Sequence, residues 1–437
     1  MRTRISHACV LTLDDVWHVY PDGYVTVEDD RIIDCGEGRG DGSADREIDG
    51  RGGILMPGMV NLHCHAAMVP FRTMGDDCPD RLRRFLFPLE NSAMTEELVY
   101  LSSLYGIAEM LRSGTTTFVD MYYFEEQVAR AAEESGIRAY LGETVISQKS
   151  PDAENAGEGL ARCARFLQDW AGHDRVRGIV APHGTTTVSP QALQAAHQLA
   201  REYDTILTLH ASEMDYEMDA FRKKGTTPIR FLDELGIVDE RLLAAHCIHL
   251  TPDDIAVLAA RGASVVHCPG SNLKAGKGIA PVRELAEAGV PVGLGTDGPS
   301  SGNTLSLFDT MRLFPIAQKT RYHDRRLFPA REVVYAATRG GARALHADAL
   351  YGSLETGKKA DLVLVSTEGL SLFPMYNPYS ALVYGAGSAD VYLVMADGRI
   401  VVENGRLTGI SLTELKSDLQ RAMRPFSEAA EKYRNMI

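Results

Sequence analysis

Excess positive charge is missing from this sequence: 45 Lys and Arg stand against 59 Asp and Glu, for a formal net charge of −14. An acidic chain repels nucleic acid and anionic membrane surfaces, so neither is expected as a partner. Long apolar runs are missing too, and none approaches the length of a membrane span. The opening Met1-Arg2-Thr3-Arg4, followed by Ile5 to Leu13, has the outline of a secretion signal. His7 interrupts it and Asp14-Asp15 close it, so it reads as a first strand. A cysteine framework is the third absence. Cys9, Cys35, Cys64, Cys78, Cys163, Cys247 and Cys268 are odd in number and scattered, several inside apolar strands. That excludes a disulfide scaffold and points to reduced thiols in a cytoplasmic protein.

What is present describes a globular protein, 45% hydrophobic and 24% charged. A length of 437 residues fits one large barrel with a satellite domain. Both ends are β-rich. Cys9–Leu13, Tyr24–Glu28 and Arg31–Cys35 lie near the start, Asp361–Val365, Val391–Met395 and Arg399–Val402 near the end, split by turns such as Asp397-Gly398. They predict a small composite β-sandwich domain from residues 1–56 and 350–437, with a helix from Leu412 to Met436 broken at Pro425. Between them, over 57–349, strand and helix patterns alternate. The strands are Ile54–Leu62, Thr115–Met121, Arg138–Val145, Val176–Ala181, Thr205–Leu209, Leu242–Ala245, Ala263–Val266 and Val290–Gly295. Helical stretches such as Glu96–Arg112, Pro190–Glu202, Thr251–Arg261 and Pro281–Ala288 separate them. Eight β units, each followed by an α segment, predict an α/β fold of the (β/α)8 TIM-barrel type.

That fold places active sites at the C-terminal ends of its strands, so polar chemistry is expected there. Strand one ends in His63-Cys64-His65, two imidazoles on one side of a strand. With 13 His in the chain, chance supplies about 0.4 such pairs, so the pair alone proves little. The later strands decide it: they end in Pro182-His183, His210-Ala211-Ser212-Glu213, His246, His267 and Thr296-Asp297-Gly298. Core packing does not explain five strands ending in His and a sixth in Asp; a metal site does.

Pro57-Gly58-Met59-Val60-Asn61-Leu62-His63-Cys64-His65, His210-Ala211-Ser212-Glu213, Ala245-His246-Cys247, His267-Cys268-Pro269-Gly270-Ser271-Asn272-Leu273-Lys274, Gly276-Lys277-Gly278-Ile279-Ala280-Pro281 and Gly295-Thr296-Asp297-Gly298 occur in that order. In these motifs the chain resembles the amidohydrolase superfamily over nearly its whole length. Within it, the chain is similar to the methylthioadenosine/S-adenosylhomocysteine deaminases and the related chlorohydrolases. The resemblance implies His63, His65, His210 and Asp297 as ligands of one divalent metal, with Zn²⁺ suiting three nitrogens and one oxygen, and Fe²⁺ or Mn²⁺ as alternatives. Binuclear relatives bridge two ions with a Lys ending strand four; Pro182-His183 here implies a mononuclear site. The metal would lower the pKa of a bound water to give the nucleophile. Glu213 would carry its proton to a ring nitrogen, His246 would polarise the water, and Asp297 would help protonate the leaving group. His-x-x-Glu on strand five is the deaminating pattern, so ammonia is the expected leaving group.

The resemblance also implies substrate contacts. His183 would face the substrate, and Glu90, in Phe87-Pro88-Leu89-Glu90, would bond ribose hydroxyls. Two departures bear on specificity. Arg81 stands where nucleoside-specific relatives carry a Trp. Glu143, with Ala156-Gly157-Glu158-Gly159, stands where relatives that accept S-adenosylhomocysteine place Arg to grip its carboxylate. An uncharged or cationic tail is therefore expected: adenosine, 5′-deoxyadenosine or methylthioadenosine. The altered stretch Pro299-Ser300-Ser301-Gly302-Asn303 carries no reading. Alternatives are another N-heterocycle, such as guanine, 8-oxoguanine, a pterin or an s-triazine losing an amine or a halide, and S-adenosylhomocysteine itself. Relatives often form homo-oligomers. A catalytically dead scaffold would have lost ligands, and none is lost here.

Overall fold

The structure, a computed structural model, describes residues 1–436, with side chains through Tyr433; Ile437, the last residue of the expected C-terminal part, lies outside the described residues. The N-terminal strands are β1 (Arg2–Leu11), β2 (Val19–Glu28), β3 (Arg31–Glu37), β4 (Arg46–Asp49) and β5 (Ile54–Pro57). The middle supplies β6 (Met59–Cys64), β7 (Thr115–Tyr122), β8 (Arg138–Val145), β9 (Val176–Gly178), β10 (Ala181–Pro182), β11 (Leu207–Ala211), β12 (Leu242–His246), β13 (Ser264–His267) and β14 (Val292–Leu294). The C-terminal strands are β15 (Leu362–Val365), β16 (Val391–Ala396), β17 (Arg399–Glu403) and β18 (Arg406–Leu407).

Both ends of the chain share one sheet, in the order β18-β17-β16-β15-β5-β1-β2-β3, with β4 also on β1. They meet where β15 runs antiparallel to β5, Leu362 opposite Pro57 and Val365 opposite Ile54. These strands pair edge to edge as one nine-stranded sheet. The cause lies in β1. It is long and bulged between Ile5 and Val10, so its first half pairs with β4 and its second with β5. The Asp397-Gly398 turn joins β16 to β17 with φ of +49° and +77°, the left-handed pair that matches strand twist.

The strand expected over Ile54–Leu62 divides at Gly58. There the chain leaves the shared sheet: Gly58 donates to the Asp361 carbonyl and Met59 to that of Gly114. A Cβ at Gly58 would fall inside the Thr116 side chain, so the passage requires glycine. The middle strands run parallel in two sheets, β10-β8-β7-β6 with β9 on β8, and β11-β12-β13-β14. Single parallel bridges, Val180 with Leu207 and Gly184 with His210, join the sheets on one side. On the other, Asn61 and Thr296 exchange hydrogen bonds of 2.8 and 3.0 Å, and Asp297 N–H donates to the His63 carbonyl. The fourth expected strand, Val176–Ala181, breaks into β9 and β10. Helices Glu96–Arg112 and Pro190–Glu202 begin at N-caps Thr95 and Ser189, whose side chains accept the first free backbone N–H groups.

The C-terminal helix, Leu412–Ala430, runs through Pro425 without the expected break. Leu415, Leu419, Phe426 and Ala430 form one buried face that spans the proline, and this burial outweighs the lost backbone bond. Phe426 packs edge-on against Phe71 at 4.8 Å, seating the helix against the segment that follows His65. The seven cysteines are free thiols. Among the described residues no helix is long and apolar enough to cross a membrane.

Candidate active site

Histidines and one aspartate converge where the parallel strands end. His63 and His65 straddle the last residue of β6, their rings 4.8 Å apart. His210 lies in β11, His246 ends β12, and Asp297 follows β14. The backbone is strained in this region. Ser212, His246, Cys247 and Asp297 take φ between +47° and +71°, a region non-glycine residues avoid unless neighbours enforce it. These turns aim the side chains inward from strands that would otherwise alternate.

The donor atoms of His63, His65 and Asp297 lie within 4.8 Å of one another, as do those of His63, His210 and His246. His65 Nε2 is 3.3 Å from Asp297 Oδ1, and His63 Nε2 is 3.9 Å from it. A tetrahedral ion with bonds near 2.0–2.1 Å separates its ligands by about 3.3 Å, the spacing of His65 and Asp297, whereas His210 groups with His63 and His246 and not with His65 and Asp297. Second contacts fix which nitrogen is free. His65 Nδ1–H donates to the Met121 carbonyl and His210 Nδ1–H to the His183 carbonyl, each at 2.6 Å, leaving Nε2 toward the centre. Both ring nitrogens of His63 and Nε2 of His246 are buried without a protein partner. Burial, reinforced by the neighbouring imidazoles, holds His63 well below its ordinary pKa. Burial likewise pushes His210 down to about 4, while Asp297 stays well below the carboxylate range against burial because His65, His246 and His63 surround it. Burial would lower His65 as well, but the Asp297 carboxylate beside it outweighs burial and raises it to about 9. Imidazoles held low at His63 and His210, an ionised carboxylate and orphaned buried nitrogens are what a divalent cation requires. The residues fit the expected metal.

Glu213 lies beside this centre, Oε1 3.6 Å from His246 Nε2. Its backbone N–H donates to Glu217 at 2.8 Å, and Glu217 in turn accepts from the Thr185 hydroxyl. Burial would raise Glu213, but His246, Lys277 and His210 outweigh it and keep the carboxylate ionised. His246 Nδ1 faces Asn272 Oδ1 at 2.9 Å, which sets that tautomer too.

A cavity of about 780 Å³ opens over the centre. Glu90, His183 and Arg81 all line it, as expected. Glu90 is buried, accepts from the Tyr122 hydroxyl at 2.8 Å, and is pushed up to about 7 by burial. His183 is held by the Thr187 hydroxyl at 2.8 Å and packs edge-on against Phe87. Arg81 donates to the Ser300 carbonyl at 2.6 Å, has no carboxylate within ion-pair distance among the described residues, and keeps Nε buried without a partner. The altered 299–303 stretch thus anchors Arg81, and its Asn303 also holds Asp76 at 3.0 Å.

Glu143 is corrected. It faces away from the cavity, which Thr144 lines instead, because neighbours on β8 point to opposite sides. Its carboxylate accepts the Glu125 N–H at 3.1 Å, and burial with Asp152 beside it raises its pKa well above the usual range. Its carboxyl is engaged with Glu125 and Asp152 and is not part of the cavity wall. Glu158 also lies outside the cavity lining, at the start of the helix Ala156–Asp169. His267 is buried against Phe314, outside the lining. Three residues of the site carried no sequence reading: Tyr122, Asn272 and Lys277. Tyr122 was signalled by its place at a strand end. The other two sit in quoted motifs, but their contacts join positions far apart in the chain.

Residues 54–401 match the amidohydrolase family. The chain is 40% identical to a 5-methylthioadenosine/S-adenosylhomocysteine deaminase of Syntrophus aciditrophicus, over 96% of each chain. It is 40% identical to a 5′-deoxyadenosine deaminase of Methanothermobacter thermautotrophicus, over 88% of this chain and 90% of that one. Among solved structures, an adenosine deaminase from Xanthomonas campestris with bound zinc superimposes with a TM-score of 0.94 at 32% identity, over 98% of each chain. With a family match spanning β5 to β17 and full-length relatives at this identity, the chain belongs to the amidohydrolase family.

Proposed function

We propose that this protein is a metal-dependent hydrolytic deaminase of adenine-type nucleosides: adenosine, 5′-deoxyadenosine or methylthioadenosine. The observation that carries the reading is Glu213 beside a His/Asp centre in one cavity, with Glu90 on its wall. His63, His65, His210 and Asp297 would hold the cation, zinc in our reading, as in the Xanthomonas campestris enzyme. When bound, it supplies the Lewis acidity that lets water ionise near neutrality. The chain's residues do the rest. Glu213 takes a proton from water and gives it to the ring nitrogen beside the amino-bearing carbon. Oxygen adds to that carbon, and the amino group leaves as ammonia once protonated, with Asp297 relaying the proton. His246, its Nδ1 turned to Asn272, orients the attacking water. Glu90 receives the ribose hydroxyls, and His183 and Arg81 flank the ring. In this reading the two parallel sheets are halves of one (β/α)8 barrel over 57–349, a frame supported by the bridges on one edge and the Asn61–Thr296 bonds on the other.

S-adenosylhomocysteine rejoins the candidates, because Glu143 no longer argues against a carboxylate tail. The rim carries both signs, Arg83 and Lys274 beside Asp76, Asp77 and Asp80. The test is ammonia release by zinc-loaded protein on adenosine, 5′-deoxyadenosine, methylthioadenosine, S-adenosylhomocysteine, guanine, 8-oxoguanine, a pterin and a chlorinated s-triazine. Turnover of the adenosines is expected; turnover of free bases or triazines alone would discard the ribose site. Glu213→Gln should keep one metal equivalent and lose about 10²–10⁴-fold in kcat. Near-normal turnover would sink the proton-transfer role.

A further inference from the structure

Lys277 carries the inference. Its ammonium is 2.5 Å from Glu213 Oε1, on a side chain only 15% exposed. A buried lysine costs several kcal/mol of desolvation unless paired, and Glu213 is the one carboxylate within ion-pair distance of it among the described residues. Glu213 Oε2 has no hydrogen-bond partner among the described residues, so Lys277 anchors one oxygen and leaves the other to the cavity.

The turn bearing Lys277 is built to present it. Gly276 and Gly278 flank it with φ of +65° and +121°, and a Cβ at Gly278 would press on Ile248 at 3.0 Å. Lys277 N–H donates to the Asn272 carbonyl at 2.9 Å. Asn272 is the residue whose side chain fixes His246. One turn, Asn272 to Lys277, therefore grips both groups that face the reacting water: His246 through an amide and Glu213 through an ammonium.

We propose that Lys277 is a positioning residue for the deamination, holding the Glu213 carboxylate in the one orientation from which it passes its proton between water and ring. The inference rests on the proposed deaminase activity. Lys277 acts on the substrate through Glu213, so its loss should lower kcat and leave KM nearly unchanged.

The test compares zinc-loaded wild type, Lys277→Met and Lys277→Arg on the best substrate of the panel. Lys277→Met should keep its metal equivalent and its thermal midpoint while kcat falls about 100-fold, the scale of a misplaced catalytic group. Lys277→Arg should recover part of that loss. An unchanged kcat, or a rise in KM that accounts for the whole effect, would overturn the proposal. A second measurement needs no turnover. Purine ribonucleoside lacks the amino group, and its hydrated form mimics the tetrahedral adduct that Glu213 protonates. Lys277→Met should weaken its binding in wild type and have little further effect in Glu213→Gln. Equal weakening in both backgrounds would show that Lys277 acts independently of Glu213. If wild type deaminates nothing in the panel, the functional reading fails, while the binding cycle still judges the Lys277–Glu213 coupling.

Discussion

Glu90 shows how much one carboxyl can depend on its surroundings. It is 4% exposed, and burial pushes its pKa from 4.5 up to about 7, despite help to the ionised form from Tyr122, His65 and Arg81. The folded protein therefore binds this proton more tightly than the unfolded chain. Stability from the protonated acid is complete below about pH 4.5 and is lost as pH rises toward 7, up to about 3 kcal/mol. Glu90→Gln does not titrate. Denaturant unfolding should show the variant gaining on wild type by roughly 2–3 kcal/mol between about pH 5 and pH 8. A constant difference across that range would mean Glu90 stays charged throughout. The same pair explains what was legible at this scale. The sequence placed Glu90 in the pocket through its motif, but Tyr122, its partner across 32 residues, is marked only by its place at a strand end, which does not say what it touches. Glu143 misled because a strand position one residue off faces the other way.

Gly58 is where one element becomes two. The apolar run Ile54–Leu62 has no internal mark of a division beyond this glycine and the proline before it, so a single strand was the natural reading. What divides it is tertiary: Asp361 and Gly114 claim the backbone on either side. Gly58→Ala should cost about 1–3 kcal/mol, since the added methyl must displace Thr116. The hydroxyl of Thr116 is buried without a partner, so Thr116→Ala in the same chain should restore most of the loss. Urea midpoints of the two variants decide it; no rescue would place the strain elsewhere. Pro425 teaches the converse. Its local signal for a break was real, yet the buried stripe from Leu415 to Ala430 held the helix together. Periodic patterns named helices such as Pro190–Glu202 to the residue, because cap and period agreed. Short strands such as β4 and β18 escaped, because four or two residues carry no period.

At the scale of the whole molecule, the two termini were legible as partners because both are rich in turns and short strands. Their closure into one sheet was not, since it depends on the bulge in β1. Nor was the buried cluster in which Arg138 of β8 meets Asp361 and Asp397, at 3.2 and 3.0 Å, tying the parallel strands to the shared sheet. The strand-end histidines were legible as a set because the fold itself demands chemistry there. Their distribution over the fold has a consequence for the life of the protein. His63 and His65 come from one parallel sheet, His210 and the residues after β14 from the other, and the two are otherwise joined by bridges on one side, backbone and side-chain bonds such as Asp297 to His63 and Asn61 to Thr296, and a shared apolar cluster that includes Leu62 and Val266. In the proposed ligand set, a cation held there would be a staple across the seam that the unfolded chain lacks. Each tenfold rise in free metal above the dissociation constant should add about 1.4 kcal/mol to stability. Thermal scans in zinc buffers should climb on that schedule, and His63→Ala should flatten the curve. A midpoint indifferent to chelator would contradict the staple. In a cell, the folded fraction of this protein would then register how much free metal its surroundings hold.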